Sequence, residues 1–387
     1  MMPSRRESTP LLVALLALGL LGSAHGAPML NADQPFPIYI PVRPGQKPCD
    51  IYVFGEQNGR DVFLSQTSQY EAVNAAPGQP QPEQLYAHAQ GSVMSLPVGD
   101  LSSGRIYAHC GGKFSFMKVI DAAGKSKIQP TPAEDAVYNF VELTTTRGTI
   151  YIDISAVDML GNPPLGYKLE GGHTGKQAWG ANPGSLDRIC ADLQSQSNAD
   201  GMPWEHLCVE RNGEILRILS PGEYMKNNPS AFEDYFNAHA RAVYTQWNAQ
   251  PKQYNLGNVG NVTCVGAADG SSATCNGRSY GLPTSADVFG CASGPFAAVA
   301  APGDPHEALR APFCADFNRG TAMSSDAATS PQNWYSTAVH KELPDIYTFP
   351  FDDVRVDGLA RDSTLTSSSA TGLTIIIGGT WPDEYPG

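Results

Sequence analysis

The sequence predicts a mainly β protein with a smaller mixed α/β part, and three observations lead to that expectation. The 387 residues include 39 Gly and 31 Pro, about 18% together against a background of about 12%, and both residues interrupt helices. Short runs of aromatic and β-branched residues recur between positions 36 and 172, which is typical of strands. Helical spacing of apolar residues begins only after that region.

The N terminus has the composition of a secretory signal peptide. Arg5 and Arg6 precede an apolar run at 11–22, and small residues lead to a cleavage point between Gly26 and Ala27. A run of about 12 apolar residues is too short to cross a membrane, which takes about 20. We therefore expect residues 1–26 to be removed and the protein to be secreted.

The charge of the mature chain argues against polyanionic partners. Removal of the signal segment takes away two Arg and one Glu, so the formal net charge changes from −13 to −14. Nucleic acid and anionic lipid surfaces both favour clusters of Lys and Arg. We expect no nucleic acid and no membrane as partners, whereas a neutral ligand remains possible.

The eight cysteines all follow the signal segment. An even number in an oxidising compartment favours disulfide bonds over thiol chemistry. Because no C-x-x-C or H-x-x-x-H spacing occurs, we expect no metal site. Pairing of neighbours along the chain predicts the bonds 49–110, 190–208, 264–275 and 291–314.

The first strands are predicted where aromatic and β-branched runs alternate with clusters of Gly, Pro, Asn and Ser, which form turns. The predicted strands are residues 36–42, 51–54, 105–109, 114–120, 137–143 and 149–156. Many short strands of this kind favour a sandwich or a barrel.

Helices are predicted in the region that follows. Ser185 precedes apolar residues at a spacing of three to four. The sequence Ser230-Ala-Phe-Glu233 resembles a capping box, which marks the start of a helix. A further helix is expected around Trp334, and there we expect the indole to pack in the core, as for Trp247 in the helix after the capping box.

The C-terminal region again predicts strands, at residues 346–351 and 373–378. We expect the last strand to join the N-terminal β unit. Residues 27–172 with 345–387 would then form one discontinuous β domain, and residues 173–344 would form a mixed α/β domain.

Residues 139–166 carry the strongest chemical signal. With the two-residue period of a strand, Ile150, Ile152 and Ile154 face a core. Glu142 shares a face with Tyr138 and Phe140. Burial of a carboxyl group between two aromatic side chains would favour its protonated form, as a general acid requires.

A tight connection at residues 145–148 predicts a hairpin that brings Glu142 near the level of Ser155 or Ala156, with Asp158 just beyond. Glycoside hydrolysis uses two carboxyl groups, one to protonate the leaving oxygen and one to act at the anomeric side. Spacing alone leaves open the alternative that both are solvated residues at the rim of a sheet.

Several motifs, in this order, resemble glycoside hydrolase family 64, the bacterial β-1,3-glucanases related to thaumatin-like proteins. The motifs are Glu142-Leu-Thr, Ile152-Asp-Ile-Ser-Ala-Val-Asp-Met-Leu-Gly, Leu282-Pro-Thr-Ser-Ala-Asp-Val-Phe-Gly-Cys, Phe317-Asn-Arg-Gly and Tyr347-Thr-Phe-Pro-Phe-Asp-Asp. The resemblance extends from about residue 36 to Gly379.

This resemblance implies a thaumatin-like β-barrel or sandwich packed on the mixed α/β domain, with a wide groove for a glucan chain between them. It also implies endo-cleavage of β-1,3-glucan with inversion to short oligosaccharides, without a cofactor, by a protein that we expect to be a monomer. The acid of the family matches Glu142 and its base matches Asp158. Inversion needs a water beside the base, hence carboxyl groups roughly 6.5–9.5 Å apart.

Five further residues are predicted to contact the sugar. Thr144 and Thr146 follow Glu142 along its side of the strand and could bond hydroxyl groups, although ordinary β propensity explains them equally well. Tyr151 and Asp153 share a polar face, and Trp179 lies in a Gly-rich loop where a sugar ring could stack on it. The alternative function is a non-catalytic thaumatin-like protein that binds β-glucan or acts against fungi.

Overall fold

The computed structural model describes residues 34–42, 47–74, 76–79, 87–97, 99–120, 126–131, 134–171, 177–178, 182, 184–299, 304–323, 331–354, 361 and 363–378. The predicted signal peptide and Trp179 lie outside these residues.

Most of the described chain before position 172 is β-strand, as the sequence predicts. These strands are β1 Phe36–Tyr39, β2 Asp50–Gln57, β3 Arg60–Leu64, β4 Tyr70–Ala72, β5 His88–Ala89, β6 Val93–Leu96, β7 Leu101–Gly111, β8 Phe116–Ile120, β9 Ser126–Pro130, β10 Val137–Thr146, β11 Thr149–Asp153, β12 Met159–Gly161 and β13 Leu165–Glu170. The remaining strands are β14 Gln177–Ala178, β15 Cys208–Arg211, β16 Glu214–Leu219, β17 Lys252–Asn255, β18 Asn261–Gly266, β19 Ser272–Cys275, β20 Arg278–Gly281, β21 Leu365–Ser367 and β22 Gly372–Ile377.

The helices lie between β14 and β21, also as predicted. They are α1 Ser185–Asp200, α2 Pro221–Met225, α3 Asn237–Ala249, α4 Ser285–Gly290, α5 Pro305–Asn318 and α6 Trp334–Glu342. Short 3-10 helices occur at Trp204–Leu207, Gly257–Val259 and Gly294–Phe296. The sequence prediction of a mainly β fold with helices in its second half is therefore confirmed.

Two large sheets form a sandwich. One has the order β14-β13-β22-β1-β6, and the other has the order β21-β11-β10-β7-β2-β3-β4 with β5 paired to β2. Alternate residues of both sheets, among them Ile38, Ile106, Val141, Ile152 and Ile375, meet in one core. Among the described strands, β4 and β21 are the ends of the larger sheet, so it does not close into a barrel.

The C-terminal strand β22 lies between β1 and β13, parallel to β1 and antiparallel to β13. The end of the chain thus completes the sheet that its beginning starts, which is the pairing expected from the sequence. The strand predicted at 346–351 is wrong, however. Thr348 donates its backbone N–H to the buried carboxylate of Asp352 at 3.0 Å, and this local hydrogen bond holds the segment in turns.

The predicted capping box at Ser230 is wrong as well. Helix α3 begins at Asn237, and Ser230 and Glu233 lie in the turns before it. The side chain of Ser285 instead bonds the carbonyl of Glu233 at 3.2 Å, while Phe232 and Phe236 are buried. Tertiary packing of these aromatic residues therefore outweighs the local helix-start signal. A capping box is present at Thr284 and Asp287, at the start of α4.

All four disulfide bonds predicted from the sequence are confirmed: Cys49–Cys110, Cys190–Cys208, Cys264–Cys275 and Cys291–Cys314. The first of them joins the start of β2 to the end of β7, two neighbouring strands of the larger sheet. Among the described residues, no helix combines the length and apolar character that crossing a membrane requires.

Loss of the Cys49–Cys110 bond is expected to destabilise the protein more than loss of Cys264–Cys275. The two bonds close loops of 61 and 11 residues, and the chain-entropy cost to the unfolded state corresponds to about 4 and about 3 kcal/mol respectively. Double Cys→Ala variants compared by denaturant unfolding measure the difference. Equal losses would show that native packing around the sulfurs, and not loop length, sets the effect.

Candidate active site

The hairpin of β10 and β11 sets the positions of the predicted site residues. Arg147 and Gly148 have φ angles of 47° and 74°, which are the left-handed conformations of a two-residue hairpin turn. The resulting register places Glu142 directly opposite Asp153. The predicted level of Ser155 or Ala156 for Glu142 is wrong, because the turn pairs Thr146 with Thr149 and this register brings Asp153 opposite Glu142.

Glu142 belongs to a row of side chains that crosses four strands of the larger sheet. Phe54 on β2 pairs with Arg105 on β7, Arg105 pairs with Glu142 on β10, and Glu142 pairs with Asp153 on β11. Directly opposed residues share a face of the sheet and lie close enough to touch. A cation is therefore placed between an aromatic ring and two carboxyl groups.

An aromatic cluster lies beside this row on the same face. It contains Tyr52, Phe54, Tyr107, Phe114, Phe116, Tyr138 and Phe140, and the hairpin of β8 and β9 helps to cover it. The predicted sharing of a face by Glu142, Tyr138 and Phe140 is confirmed by the sheet register. The guanidinium carbon of Arg105 is 4.6 Å from the centroid of the Phe140 ring, which is a cation–π distance.

Two nitrogens of Arg105 contact a single oxygen of the Glu142 carboxyl group. Its Nε and Nη2 atoms lie 2.8 Å and 2.7 Å from Oε1 of Glu142, and one third of each side chain is exposed. The expectation that aromatic residues bury Glu142 is therefore wrong, because the neighbouring strand places a guanidinium beside a carboxyl group that stays one third exposed.

Asp158 lies near the same nitrogen of the guanidinium, with Oδ2 4.0 Å from Nη2 of Arg105. Both distances are measured from Nη2, so Oε1 of Glu142 and Oδ2 of Asp158 are at most 6.7 Å apart. Burial alone would lower the pKa of Arg105, but the carboxylates of Glu142 and Asp158 and the hydroxyl of Tyr107 together raise it well above its ordinary value.

Asp158 is positioned by the strand that follows it. The side-chain amide of Asn139 on β10 donates to the carbonyl of Gly161 at 3.1 Å, and thus ties β12 to the strand that carries Glu142. A Cβ atom at Gly161 would lie 2.1 Å from the carbonyl oxygen of Tyr138, so only glycine permits this approach. The close contact explains how two carboxylates 16 positions apart in sequence share one guanidinium.

Glu223 is a third acidic residue near Asp158. It lies in the first turn of α2, whose N-cap residue Ser220 donates its N–H to the carbonyl of Asp158 at 2.9 Å. Burial raises the pKa of Glu223; the charge of Lys226 opposes that rise, and the charge of Asp158 adds to it.

The residues predicted to contact the sugar differ in their position relative to Glu142 and in their burial. Thr144 and Tyr151 form the next cross-strand pair beside Glu142 and Asp153, and Thr366 on β21 extends that pair across the sheet. Asp153 is buried. The hydroxyl of Thr146 donates to the carboxylate of Asp100 at 3.3 Å, so it supports the hairpin turn. Trp179 is not among the described residues.

Trp247 and Asp352 are both buried in the core. Trp247 is 2% exposed and donates to the carbonyl of Ala322, as core packing predicts. Asp352 is fully buried, and its carboxylate oxygens are 3.3 Å from Arg319 and 2.9 Å from His340. No group of three or more His, Cys, Asp or Glu side chains suited to a metal ion occurs among the described residues.

Sequence analysis missed Arg105 and Glu223. Arg105 begins the predicted strand 105–109, and a two-residue period places it on the face of Tyr107. A charged residue on an otherwise aromatic face was the signal that could have identified it. Glu223 gave no such signal, because its proximity to Asp158 depends on the pairing of β12 with β16.

Glycoside hydrolases use two carboxyl groups that flank the scissile bond, and Glu142 and Asp158 are two partly exposed carboxyl groups near one guanidinium. The sequence model of the β-1,3-glucanases of glycoside hydrolase family 64 matches residues 37–377. The chain belongs to this family, and the resemblance noted from its motifs is confirmed. Among curated proteins, no sequence match is found.

Solved structures of this family share the fold. A laminaripentaose-producing β-1,3-glucanase in complex with laminaritetraose has 21% sequence identity and a TM-score of 0.73, over 89% of this chain and 98% of that one. A β-1,3-glucanase domain from Clostridium beijerinckii has 16% identity and a TM-score of 0.68, over 91% and 100%. The Paenibacillus barengoltzii enzyme complexed with laminarihexaose has 16% identity and a TM-score of 0.55, over 91% and 76%.

Proposed function

We propose that the protein is a secreted endo-β-1,3-glucanase that cleaves its substrate with inversion and releases short oligosaccharides. The observation that carries this proposal is the placement of carboxyl oxygens of Glu142 and Asp158 at 2.7 Å and 4.0 Å from the same nitrogen of Arg105. Membership of a β-1,3-glucanase family supports the substrate class. Four disulfide bonds suit a protein exported to an oxidising compartment.

In the proposed reaction, Glu142 in its protonated form donates a proton to the glycosidic oxygen. The bond between C1 and that oxygen breaks, and its electron pair stays with the leaving sugar. A water molecule attacks C1 from the opposite face while Asp158 accepts its proton. The turnover ends with Glu142 ionised and Asp158 protonated, and exchange with solvent restores the starting forms.

In glycoside hydrolases, the separation of the two carboxyl groups differs between enzymes that invert and enzymes that retain the anomeric configuration. The distances to Nη2 of Arg105 limit Oε1 of Glu142 and Oδ2 of Asp158 to a separation of at most 6.7 Å, which includes the roughly 5–5.5 Å of retaining enzymes and the start of the roughly 6.5–9.5 Å range of inverting ones. Exposure of about one third of each side chain also leaves access for a water molecule. The exposure supports a water-mediated displacement, and the proposed inversion rests on the motif resemblance described above.

Most of the other proposed sugar contacts lie on β10 and β11 of the larger sheet. Asp153 lies opposite Glu142 in the same cross-strand row, and Thr144 and Tyr151 form the next row on that face, so a glucan chain that places one linkage at Glu142 passes over them. We include Thr146 and Trp179 as proposed sugar contacts on the strength of the sequence alone. The proposed enzyme acts as a monomer and uses no cofactor.

Incubation of the purified protein with laminarin and curdlan, followed by sizing of the products, tests this function. Short oligosaccharides that appear before free glucose are the expected result for an endo-acting enzyme. Binding to curdlan without any product would favour the alternative, a non-catalytic β-glucan-binding protein. Hydrolysis of a β-1,4-glucan instead would contradict the proposed substrate class.

A further inference from the structure

The reaction proposed above moves one negative charge between two side chains. Before proton transfer Asp158 is ionised and Glu142 is neutral; afterwards Glu142 is ionised and Asp158 is neutral. A positive charge fixed beside only one of them would stabilise one of these states and oppose the other. An enzyme that alternates between the two states gains from a cation that reaches both groups.

Arg105 lies within reach of both carboxyl groups. Its Nη2 atom is 2.7 Å from Oε1 of Glu142 and 4.0 Å from Oδ2 of Asp158. A movement of about 1.3 Å would therefore bring Asp158 to the distance that Glu142 now has. The side chain is supported on both sides, because the guanidinium lies over the Phe140 ring and Nη1 is 3.5 Å from the hydroxyl of Tyr107.

The bonds to Glu142 also distinguish the two oxygens of its carboxyl group. Nε and Nη2 both approach Oε1, so Oε2 is the oxygen left for a proton and a substrate. A lysine could not reproduce this arrangement, because its ammonium is a point charge without the planar fork of donors. The arginine therefore orients the acid in addition to balancing its charge.

We propose that Arg105 is a positioning residue that serves as a counter-ion shared by the acid and the base: it pairs with Asp158 while Glu142 is protonated and with Glu142 once the proton has left from Oε2. This inference rests on the proposed function. It assigns to Arg105 an effect on the ionisation of both carboxyl groups, which a purely structural residue would not have.

Other titratable groups face this trio and stay unchanged in the test. They are Asp153 on β11, Tyr107 on β7, Tyr138 on β10, Glu223 on α2 and Tyr335 on α6. Of these, Asp153 and Glu223 are carboxyl groups, whereas burial raises the pKa of Tyr107, Tyr138 and Tyr335 and so favours their neutral phenols. Glu223 also has two positive neighbours, Lys226 in the turn that follows α2 and Arg217 on β16, and both stay unchanged in the test. Among the described residues, Arg105 places one nitrogen within 4.0 Å of both Glu142 and Asp158.

The test is the pH dependence of kcat/KM for laminarin hydrolysis, which reports the ionisation of the acid and the base in the free enzyme. In Arg105→Gln, loss of the positive charge favours the protonated forms of the two carboxyl groups. Both the acid limb and the alkaline limb of the pH–activity profile should therefore move to higher pH by about 1 unit or more. In Arg105→Lys, the limbs should stay near their wild-type positions while kcat falls by about 10- to 100-fold because Oε1 is no longer held by two donors.

The control is Arg211→Gln, which removes one positive charge from an exposed pair with Asp135 and should move neither limb. If Arg105→Gln does not fold, as judged by its thermal unfolding, Arg105→Met preserves the packing on Phe140 and replaces it in the test. Limbs that stay in place in the folded variant would overturn the role of Arg105 alone. A wild-type protein without activity would instead refute the proposed function.

Discussion

Replacement of Glu142 by Gln is expected to reduce kcat on laminarin by about 10²- to 10⁴-fold, the contribution of a general acid. Glutamine keeps the shape of the side chain and can still accept a hydrogen bond from Arg105, but it has no proton to give to the leaving oxygen. Binding of laminari-oligosaccharides should remain close to that of the wild-type protein, as measured by calorimetry.

A substrate with an activated leaving group separates loss of the acid from general damage. A dinitrophenolate leaves without protonation, so Glu142→Gln should regain activity on a dinitrophenyl laminari-oligoside. The matched control is Glu170→Gln, because Glu170 has the same 33% side-chain exposure and is also ion-paired, at 3.3 Å from Lys168, but lies on the smaller sheet. Wild-type activity of Glu142→Gln on laminarin would refute its role.

Replacement of Asp158 by Ala is expected to cause a loss of similar size, about 10²- to 10⁴-fold in kcat, because no group is left to accept the proton of the attacking water. An activated leaving group should not restore this variant. Added azide should do so, since a small anion attacks C1 without giving up a proton, and the expected product is a glycosyl azide of α configuration.

The control for this variant is Asp135→Asn, which alters an exposed aspartate paired with Arg211 at 3.4 Å and should keep wild-type activity. The pattern of rescue also decides between the two roles. If the activated substrate restored Asp158→Ala and azide restored Glu142→Gln, the assignment of acid and base would be reversed. Such an exchange is chemically conceivable because Arg105 contacts both groups.

The face on which Glu142 lies could be predicted from the sequence, because strand periodicity depends only on local residues. Ile150, Ile152 and Ile154 are buried as that period requires. The register of the hairpin was missed by two to three residues, since it depends on the left-handed conformation of Arg147, which the sequence around it does not specify. Opposite Glu142 lies Asp153, which the sequence predicted only as a sugar contact.

The ion pair of Glu142 with Arg105 lay beyond prediction from the sequence. It joins residues 37 positions apart and depends on the pairing of β7 with β10, a long-range contact without a local signal. The ion pair changes the surroundings of Glu142: the sequence predicts a carboxyl group desolvated by Tyr138 and Phe140, and the structure has an ion-paired one. The disulfide bonds could be predicted because pairing of neighbours needed no knowledge of the sheets.

Proton NMR of freshly formed laminarin products tests the central claim most directly. A water activated by Asp158 on the face opposite to the leaving group must produce reducing ends of α configuration, which then convert slowly to the equilibrium mixture. The account predicts that the α-anomer signal appears first in the wild-type reaction. Early appearance of the β-anomer would show that a covalent intermediate forms, and it would contradict the proposed pairing of a general acid with a general base.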